Sequence, residues 1–319
     1  MNGNVVVKEH NTERQSDIVS LVGNTPLVRL EKLFGRHGDI PVYAKLEWYN
    51  PGGSVKDRPA LGMIREGERS GLLTPEKIII DATSGNTGIA YAMFGAALGY
   101  KVTLAIPGNA SIERKKILKT LGAELIITDP MEGTDGAIRK VQELVRQYPH
   151  RYFYPDQYNN DANWRAHYDT TAREILDDTG GTLTHFVAGL GTTGTFTGVA
   201  RRLKEENKSI RCIAVQPDSP LHAIEGWKHM PTAMIPGIYD KSLVDELAEV
   251  RTEDAYAYVK KAAREEGLLI GVSSGAVLAA VDKLLEDLAA VHRLKQPNIV
   301  TVLPDSADKY FSDSFWDES

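Results

Sequence analysis

The residue with the clearest chemical potential is Lys56, which follows the flexible run 50–55 and precedes Asp57 and Arg58 at the start of a helix-like stretch. The positive end of a helix dipole and the nearby Arg58 both favour the neutral, nucleophilic form of a lysine amine. A neutral amine can bond covalently to a carbonyl carbon. Taken alone, a lysine after glycines is more often an exposed residue of a polar turn. The choice between these interpretations depends on two further segments.

The first segment, 81–88, follows the apolar run 78–80 and leads into a predicted helix over 89–98. A strand–turn–helix of this kind directs backbone N–H groups and hydroxyls outward at a helix N-terminus, where the dipole favours a carboxylate or a phosphate. Asn86 adds a neutral amide that can donate to a phenolate oxygen. The alternative is ordinary helix capping and turn chemistry. The hydroxyls are those of Thr83, Ser84 and Thr87.

The second segment, 189–195, reads Gly-Leu-Gly-Thr-Thr-Gly-Thr and follows a predicted strand over 185–188. Its glycines match the spacing of a dinucleotide-binding fingerprint. That fingerprint expects an acidic residue about twenty positions later, but the next strand, 213–215, is followed by Gln216 and Pro217. Threonine hydroxyls also suit a compact monophosphate. A monophosphate site is therefore preferred to a dinucleotide site.

A nucleophilic lysine, a donor for a phenolate oxygen and a monophosphate site together meet the requirements of pyridoxal 5'-phosphate. At these positions the chain resembles the cysteine synthases, which belong to the tryptophan synthase β family of pyridoxal phosphate enzymes. It is most similar to the cysteine synthase B branch. The resemblance covers nearly the whole chain and rests on the segments 21–27, 56, 83–88, 107–122, 189–195, 271–275 and 303–305.

The resemblance implies that Lys56 is the catalytic lysine, covalently attached to the cofactor, and that Asn86 bonds the phenolic oxygen of its ring. Ser273 corresponds to the hydroxyl that faces the pyridine nitrogen. Because a serine cannot keep that nitrogen protonated as an aspartate would, β-elimination is favoured over transamination. For Ser273 alone, a helix N-cap is an equal alternative. The implied phosphate-binding residues are Gly191, Thr192, Thr193, Gly194 and Thr195.

The resemblance also implies a site for the substrate carboxylate, which Gln157 approaches from the opposite side. A glutamine in a tyrosine-rich loop is more often a surface residue. The similarity to the B branch is clearest over 231–239, and Lys228 lies just ahead, where relatives that use an anionic co-substrate or phosphoserine have arginines. A lysine can still hold thiosulfate or phosphate, but it lacks the bidentate fork; a solvated charged loop is the alternative. The implied carboxylate residues are Thr83, Ser84, Asn86 and Thr87.

Short β-branched runs alternate with helical patterns, which is typical of an α/β protein with two doubly wound, mostly parallel sheets. The resemblance implies two lobes of the tryptophan synthase β type with the cofactor between them. The smaller, mobile domain would span 48–156, and the larger would combine 1–47 with 157–319 and carry the phosphate-binding loop. The predicted strands are 42–46, 78–80, 102–106, 125–127, 185–187, 212–215 and 299–302.

Composition restricts the partners and the compartment. The 319 residues are 42% hydrophobic and carry a formal net charge of −6, and no basic stripe suggests nucleic acid. Cys212 is the only cysteine, which excludes a disulfide framework within the chain; we expect a buried strand residue rather than a nucleophile. We find no metal-ligand cluster, no secretion signal and no membrane span, so we expect a cytoplasmic protein.

The predicted reaction is a β-replacement, in which O-acetylserine loses acetate and sulfide adds to give cysteine, or thiosulfate adds to give S-sulfocysteine. The alternatives are a cysteine synthase that uses O-phosphoserine, cystathionine formation from homocysteine, and a partner-binding scaffold without turnover. The resemblance suggests a homodimer. The segment 311–316 could contact a partner chain or cover the cleft, but an ordinary docked tail is favoured.

Overall fold

The computed structural model describes residues 17–83, 85–291 and 297–317, which form two sheets flanked by helices. The strands are β1 (Leu27–Arg29), β2 (Val42–Leu46), β3 (Ile78–Ala82), β4 (Lys101–Pro107), β5 (Glu124–Thr128), β6 (Tyr152–Phe153), β7 (His185–Gly189), β8 (Arg211–Pro217), β9 (Glu246–Val250) and β10 (Ile299–Leu303). The α-helices are α1 (Asp57–Arg69), α2 (Asn86–Leu98), α3 (Ile112–Thr120), α4 (Gly133–Gln147), α5 (Asp161–Ala166), α6 (Ala172–Thr179), α7 (Gly194–Glu206), α8 (Thr252–Glu266) and α9 (Val272–Val291). A π-helical turn, His167–Thr171, joins α5 to α6.

The larger sheet has six strands in the order β1-β2-β10-β7-β8-β9. Only the β1–β2 pair is antiparallel. The smaller sheet is wholly parallel, with the order β5-β4-β3-β6. The predicted α/β class with two mostly parallel sheets is confirmed, and every predicted strand is present.

The sheet order determines where a ligand can bind. Strand β3 lies between β4 and β6, and β7 lies between β8 and β10, so the strand order reverses at both places. Crevices at such reversals, outside the carboxyl ends of parallel strands, are the usual ligand sites of open α/β sheets. The loops that follow β3 and β7 are the two segments that the sequence predicted to bind anions.

Three strands were not predicted because their local signals are weak. Strands β1 and β6 have only three and two residues. Strand β9, at the edge of the larger sheet, does not alternate polar with apolar residues, and its apolar Leu247 is exposed. Their positions depend on pairing with distant strands rather than on local sequence.

The buried core supports two interpretations made from the sequence. Cys212 is fully buried in β8, where burial raises the pKa of its thiol to about 12, so it is a core residue. The C-terminal segment docks as an ordinary tail: the Phe315 ring stacks on Tyr256 at 4.2 Å between centroids, and Trp316 Nε1 donates to Tyr310 O. Among the described residues, none of the helices combines the length and apolar composition needed to cross a membrane.

Candidate active site

A single pocket lies where the carboxyl ends of β3 and β7 face each other. It brings together nearly all the residues that the sequence predicted for the active site. These residues come from loops and helix N-termini next to both sheets. Ser84 lies outside the described residues, Gly194 is buried and does not line the pocket, and Lys228 lines a second cavity. The predicted residues that line the pocket are Lys56, Thr83, Asn86, Thr87, Gln157, Gly191, Thr192, Thr193, Thr195 and Ser273.

Lys56 is the N-cap residue of α1, as the sequence predicted. Burial lowers the pKa of its amine; Lys309 lowers it further, whereas Asp305 and Glu47 raise it. Arg58, which we expected to favour the neutral amine, instead forms ion pairs with Glu47 at 2.8 Å and Glu174 at 2.6 Å. The neutral amine is therefore favoured by desolvation and by Lys309 rather than by Arg58.

The loop after β7 is held tightly on two sides. A Cβ added at Gly191 would lie 2.3 Å from the backbone oxygen of Gly226, and one added at Gly194 would lie 1.9 Å from Asn163 Oδ1. Thr193 has a left-handed φ of 71°, which a β-branched residue rarely adopts. Such strain persists only where the surroundings fix the backbone.

The hydroxyls of this loop surround the start of α7. Asn163 Nδ2 donates to Thr192 Oγ1 at 3.2 Å, and the Thr195 hydroxyl is hydrogen-bonded to His167 Nε2 at 3.2 Å. Burial keeps the pKa of His167 well below its ordinary value, so this contact is with a neutral imidazole. Thr193 Oγ1 is buried and has no hydrogen-bond partner within the described ranges. An anion at the N-terminus of α7 would give this hydroxyl a partner.

The loop after β3 is organised by side chains. Thr83 Oγ1 accepts hydrogen bonds from the backbone N–H groups of Gly85 and Gly88, both at 3.2 Å, and its own hydroxyl hydrogen remains available to a ligand. Thr87 Oγ1 donates to Gln157 Oε1 at 2.9 Å, and Gln157 Nε2 donates to Ala82 O at 2.9 Å. Gln157 is buried, so its interpretation as a surface residue is wrong.

Asn86 and Ser273 lie in the first turns of two helices whose N-terminal ends are at the pocket. Asn86 starts α2, and its side chain contacts the segment after β10: Nδ2 donates to Asp305 Oδ2 at 2.7 Å, and Oδ1 accepts from Lys309 Nζ at 2.9 Å. Ser273 lies in the first turn of α9 and is nearly buried. It is one residue past the helix start, so it is not the N-cap that we considered as an alternative.

Lys228 lies apart from the pocket, in an adjoining outer cavity of about 540 Å³. Its backbone N–H donates to Leu190 O at 2.9 Å, and its ammonium lies 4.9 Å from the centre of the Tyr158 ring. Burial lowers the pKa of this amine, against an opposing effect of Asp135. Lys228 is thus half-buried, and the choice between an anion-binding residue and a solvated charged loop stays a prediction.

Sequence reasoning gave no role to Arg114 or to the residues that follow β10, although the segments 107–122 and 303–305 carry part of the resemblance. Arg114 from α3 is buried, lines both cavities and forms an ion pair with Glu225. The segment after β10 supplies Asp305, Lys309 and Tyr310. One signal was available: these three residues follow the strand 299–303, which is apolar except for Thr301 and whose carboxyl end must lie at the ligand-binding edge.

Comparison with known proteins gives concordant matches over the length of the chain. A family model described as pyridoxal-phosphate dependent enzyme matches residues 18–305. The chain is 50% identical over 318 residues to a cysteine synthase of Aquifex aeolicus, covering 98% of this chain and 97% of that protein. It is 42% identical over 306 residues to a cysteine synthase B of Pseudomonas aeruginosa, covering 96% and 99%. The solved structure of a cysteine synthase (OASS) from Entamoeba histolytica matches with a TM-score of 0.90 at 34% identity, covering 99% of this chain and 95% of that one.

Proposed function

Because the chain belongs to the family of pyridoxal-phosphate dependent enzymes, we propose that Lys56 carries the cofactor and that the pocket around it is the active site. The activity is pyridoxal-phosphate-dependent synthesis of cysteine from small-molecule substrates. The observation that carries the proposal for Lys56 is a half-buried lysine, whose pKa desolvation lowers, in a pocket that is lined by the loops after β3 and β7. A lowered pKa favours the neutral amine, which is the form that attacks an aldehyde.

The residues present fit this cofactor. The start of α7 offers backbone N–H groups, threonine hydroxyls and the unpartnered Thr193 Oγ1 to a phosphate group. Gly191 approaches the 226 backbone so closely that no side chain fits there. Ser273, on the first turn of α9, offers a hydroxyl to a ring nitrogen, and Asn86 offers an amide N–H to a ring oxygen. We assign the phosphate to residues 191–195.

When bound, the cofactor draws electrons from the α-carbon of an amino acid, which acidifies the α-proton and allows a β-substituent to leave. Lys56 Nζ, released when an amino substrate takes its place, is the base that we assign to the α-proton. Desolvation favours this role, because it lowers the pKa of the amine and so favours the neutral form that accepts a proton. The same amine would return the proton to the α-carbon of the product.

We assign the substrate carboxylate to the loop after β3. Thr83 and Thr87 lie at the start of α2, whose first backbone N–H groups have no partner inside the helix. Gln157 contacts both Thr87 and the carbonyl of Ala82, so it supports this loop directly. We also assign it to the carboxylate from its place in the pocket. We include Ser84 from its sequence position and Asn86 from its place in the pocket.

For the two substrates, we propose O-acetylserine as donor and sulfide as acceptor. Lys228 is assigned to an anionic acceptor such as thiosulfate, because its ammonium lines the outer cavity through which an acceptor would arrive. A single lysine gives weaker selection among anions than a bidentate arginine does. Arg114 adjoins both cavities but is already paired with Glu225.

We further propose a smaller domain over 48–156 that moves against a larger one, 1–47 plus 157–319. The four-stranded sheet lies wholly within the first range and the six-stranded sheet within the second. Closure of such lobes on a substrate would exclude water from the reacting atoms.

We also propose that the protein is a cytoplasmic homodimer; the family resemblance supports the dimer.

The cofactor assignment can be tested by reduction and mapping. Purified protein should be yellow, and borohydride, which converts a lysine–aldehyde bond into a stable secondary amine, should place the label on Lys56. Lys56→Ala should lose its colour on gel filtration, whereas Lys208→Ala, at an exposed position, should keep it. A label on another lysine, or a colourless wild type, would contradict the proposal.

The choice of substrates needs a panel of donor and acceptor pairs. We expect O-acetylserine with sulfide to give the highest kcat/KM among O-acetylserine and O-phosphoserine combined with sulfide, thiosulfate and homocysteine. Faster turnover of O-phosphoserine would overturn the acetyl-ester assignment. Preference for homocysteine would instead indicate cystathionine formation.

A further inference from the structure

Lys309 is a buried cation to which the proposed function gives no role. It ends a short 3-10 helix, Ala307–Lys309, beyond β10, and the residue is only 6% exposed. Its ammonium donates to two oxygens, Gly53 O and Asn86 Oδ1, each at 2.9 Å. No carboxylate of the described residues lies within ion-pair distance of it. A lysine buried on neutral acceptors is costly, so these two contacts require an explanation.

The contact with Asn86 fixes the direction of its amide. An ammonium can only donate, so it must face Oδ1. On the other side of the amide, Asp305 Oδ2 accepts from Asn86 Nδ2 at 2.7 Å, and the same carboxylate oxygen accepts from the Tyr310 hydroxyl at 2.6 Å. A reversed amide would place an NH₂ group against the ammonium and an oxygen against the carboxylate. The orientation of Asn86 is therefore determined by charge on both sides.

In this orientation, the Asn86 amide has one hydrogen-bonding group left for a ligand. The acceptor oxygen is occupied by Lys309, and one of the two Nδ2 hydrogens is used by Asp305. The second N–H is the group that Asn86 can offer to a ligand. In the pocket, Asn86 is thus set to donate to an oxygen rather than to accept from a donor.

The contact with Gly53 extends the effect to the catalytic lysine. Gly53 has φ of 75° and lies in the loop that leads to Lys56; a Cβ at Gly53 would lie 3.3 Å from Lys309 Nζ. One ammonium thus joins the segment before Lys56 to the start of α2. Lys309 also contributes to the lowered pKa of Lys56, against the opposing effects of Asp305 and Glu47.

We propose that Lys309 is a positioning residue that fixes the Asn86 amide as a donor to the ring oxygen of the cofactor and holds it against the loop of Lys56. The proposal rests on the proposed function, because it requires that the pocket binds pyridoxal phosphate. Asp305 and Tyr310 complete the arrangement from the same segment.

The test compares Lys309→Met, which keeps the length of the side chain but removes its charge, with Lys309→Arg, which keeps the charge. Two quantities are measured: the affinity of the cofactor-free protein for pyridoxal phosphate, and the visible absorption band of the bound cofactor from pH 6 to pH 10. For Lys309→Met we expect about tenfold weaker affinity and a displaced band. Lys309→Arg should restore the band at least in part. A Lys309→Met protein with the wild-type affinity and band would overturn the proposal.

Two further variants separate positioning from simple loss of structure. Phe315→Ala loosens the same tail without touching Asn86, so it should lower stability but leave the band unchanged; a band displaced as in Lys309→Met would contradict the proposal. In an Asn86→Ala background, Lys309→Met should displace the band no further, whereas additive displacements would show that Lys309 does not act through Asn86. A wild type that binds no cofactor would instead contradict the proposed function.

Discussion

The two loops that face each other across the pocket have the same local design but are held in different ways. Each follows a buried parallel strand and begins a helix, at a reversal of strand order in its sheet. The loop after β7 is fixed by backbone packing, with Gly191 against the 226 backbone and Gly194 against Asn163. The loop after β3 is fixed by side-chain hydrogen bonds from Thr83, Gln157 and the segment beyond β10.

This difference suggests a division of labour between the loops. Close packing cannot be exchanged without a large rearrangement, because interiors are as dense as crystals. A side-chain hydrogen bond can be exchanged for one to a ligand at small net cost. The loop after β7 therefore suits a permanently held phosphate group, and the loop after β3 suits a substrate carboxylate that arrives and leaves in each cycle.

The largest expected effect is on the pH dependence of stability and concerns β3, the strand that leads into the loop after β3. Burial raises the pKa of Asp81, in β3, to about 8, whereas an unfolded chain has the ordinary value near 3.8. Between about pH 4 and pH 8 the folded state holds a proton on Asp81 that the unfolded state has lost. As the pH rises through this range, Asp81 therefore lowers the free energy of unfolding by up to about 1.4 kcal/mol per pH unit. By comparison, the residues that immediately precede the loop after β7 are Ala188 and Gly189, which carry no titrating side chain.

Asp81→Asn should therefore flatten the pH dependence and gain most stability over wild type near pH 8. The substitution keeps the Oδ1 atom that accepts from the Ala82 N–H. Midpoints of urea unfolding from pH 5 to pH 8.5 measure the effect. Some slope should remain, because burial also raises the pKa of Asp57 to about 7. Asp39→Asn, at an exposed position, is the control; equal slopes in wild type and Asp81→Asn would show that this carboxyl does not titrate as stated.

Next in size is Gly191→Ala, which tests the tightly packed loop. The new methyl group would lie 2.3 Å from a backbone oxygen, so the loop or residue 226 must move. Overpacking of this kind costs about 1–3 kcal/mol, which corresponds to a loss of cofactor affinity of about 5- to 150-fold. Titration of the cofactor-free protein with pyridoxal phosphate measures it. Gly35→Ala adds a methyl group into open space and should bind normally; equal affinities in all three proteins would remove the distinction between the loops.

The sequence predicted both loops but not what holds them. Strand, turn and helix signals are local, and they identified the segments 81–88 and 189–195 together with Lys56. The packing of Gly191 against residue 226 and the contact of Asn86 with Lys309 join residues far apart in the chain, so no local pattern reports them. Arg58 illustrates the limit: its sequence position suggested an influence on Lys56, but its tertiary partners are Glu47 and Glu174.

Gln157→Leu tests the side-chain-held loop with a smaller effect. The substitution removes the acceptor of Thr87 and the donor to Ala82 O while keeping a side chain of similar size. Two neutral hydrogen bonds are worth about 1–2 kcal/mol, so kcat/KM for O-acetylserine should fall about tenfold. Affinity for pyridoxal phosphate should stay near the wild-type value, since the phosphate loop is unchanged. A larger loss of cofactor affinity than of donor kcat/KM would reverse the roles that we assign to the two loops.

The smallest expected effect is that of Lys228→Met. The backbone N–H of Lys228 donates a hydrogen bond to Leu190 O in the loop after β7, and its ammonium contributes charge to the outer cavity. Methionine keeps the backbone contact and removes only the charge, so the cofactor should bind normally. Because the charge is partly solvated, we expect about a two- to fivefold rise in KM for thiosulfate and a smaller change for sulfide, which leaves no sulfonate to hold. Steady-state kinetics with both acceptors, and with Lys208→Met as control, measure the difference; equal losses for both acceptors would mean that Lys228 acts through the loop and not through its charge.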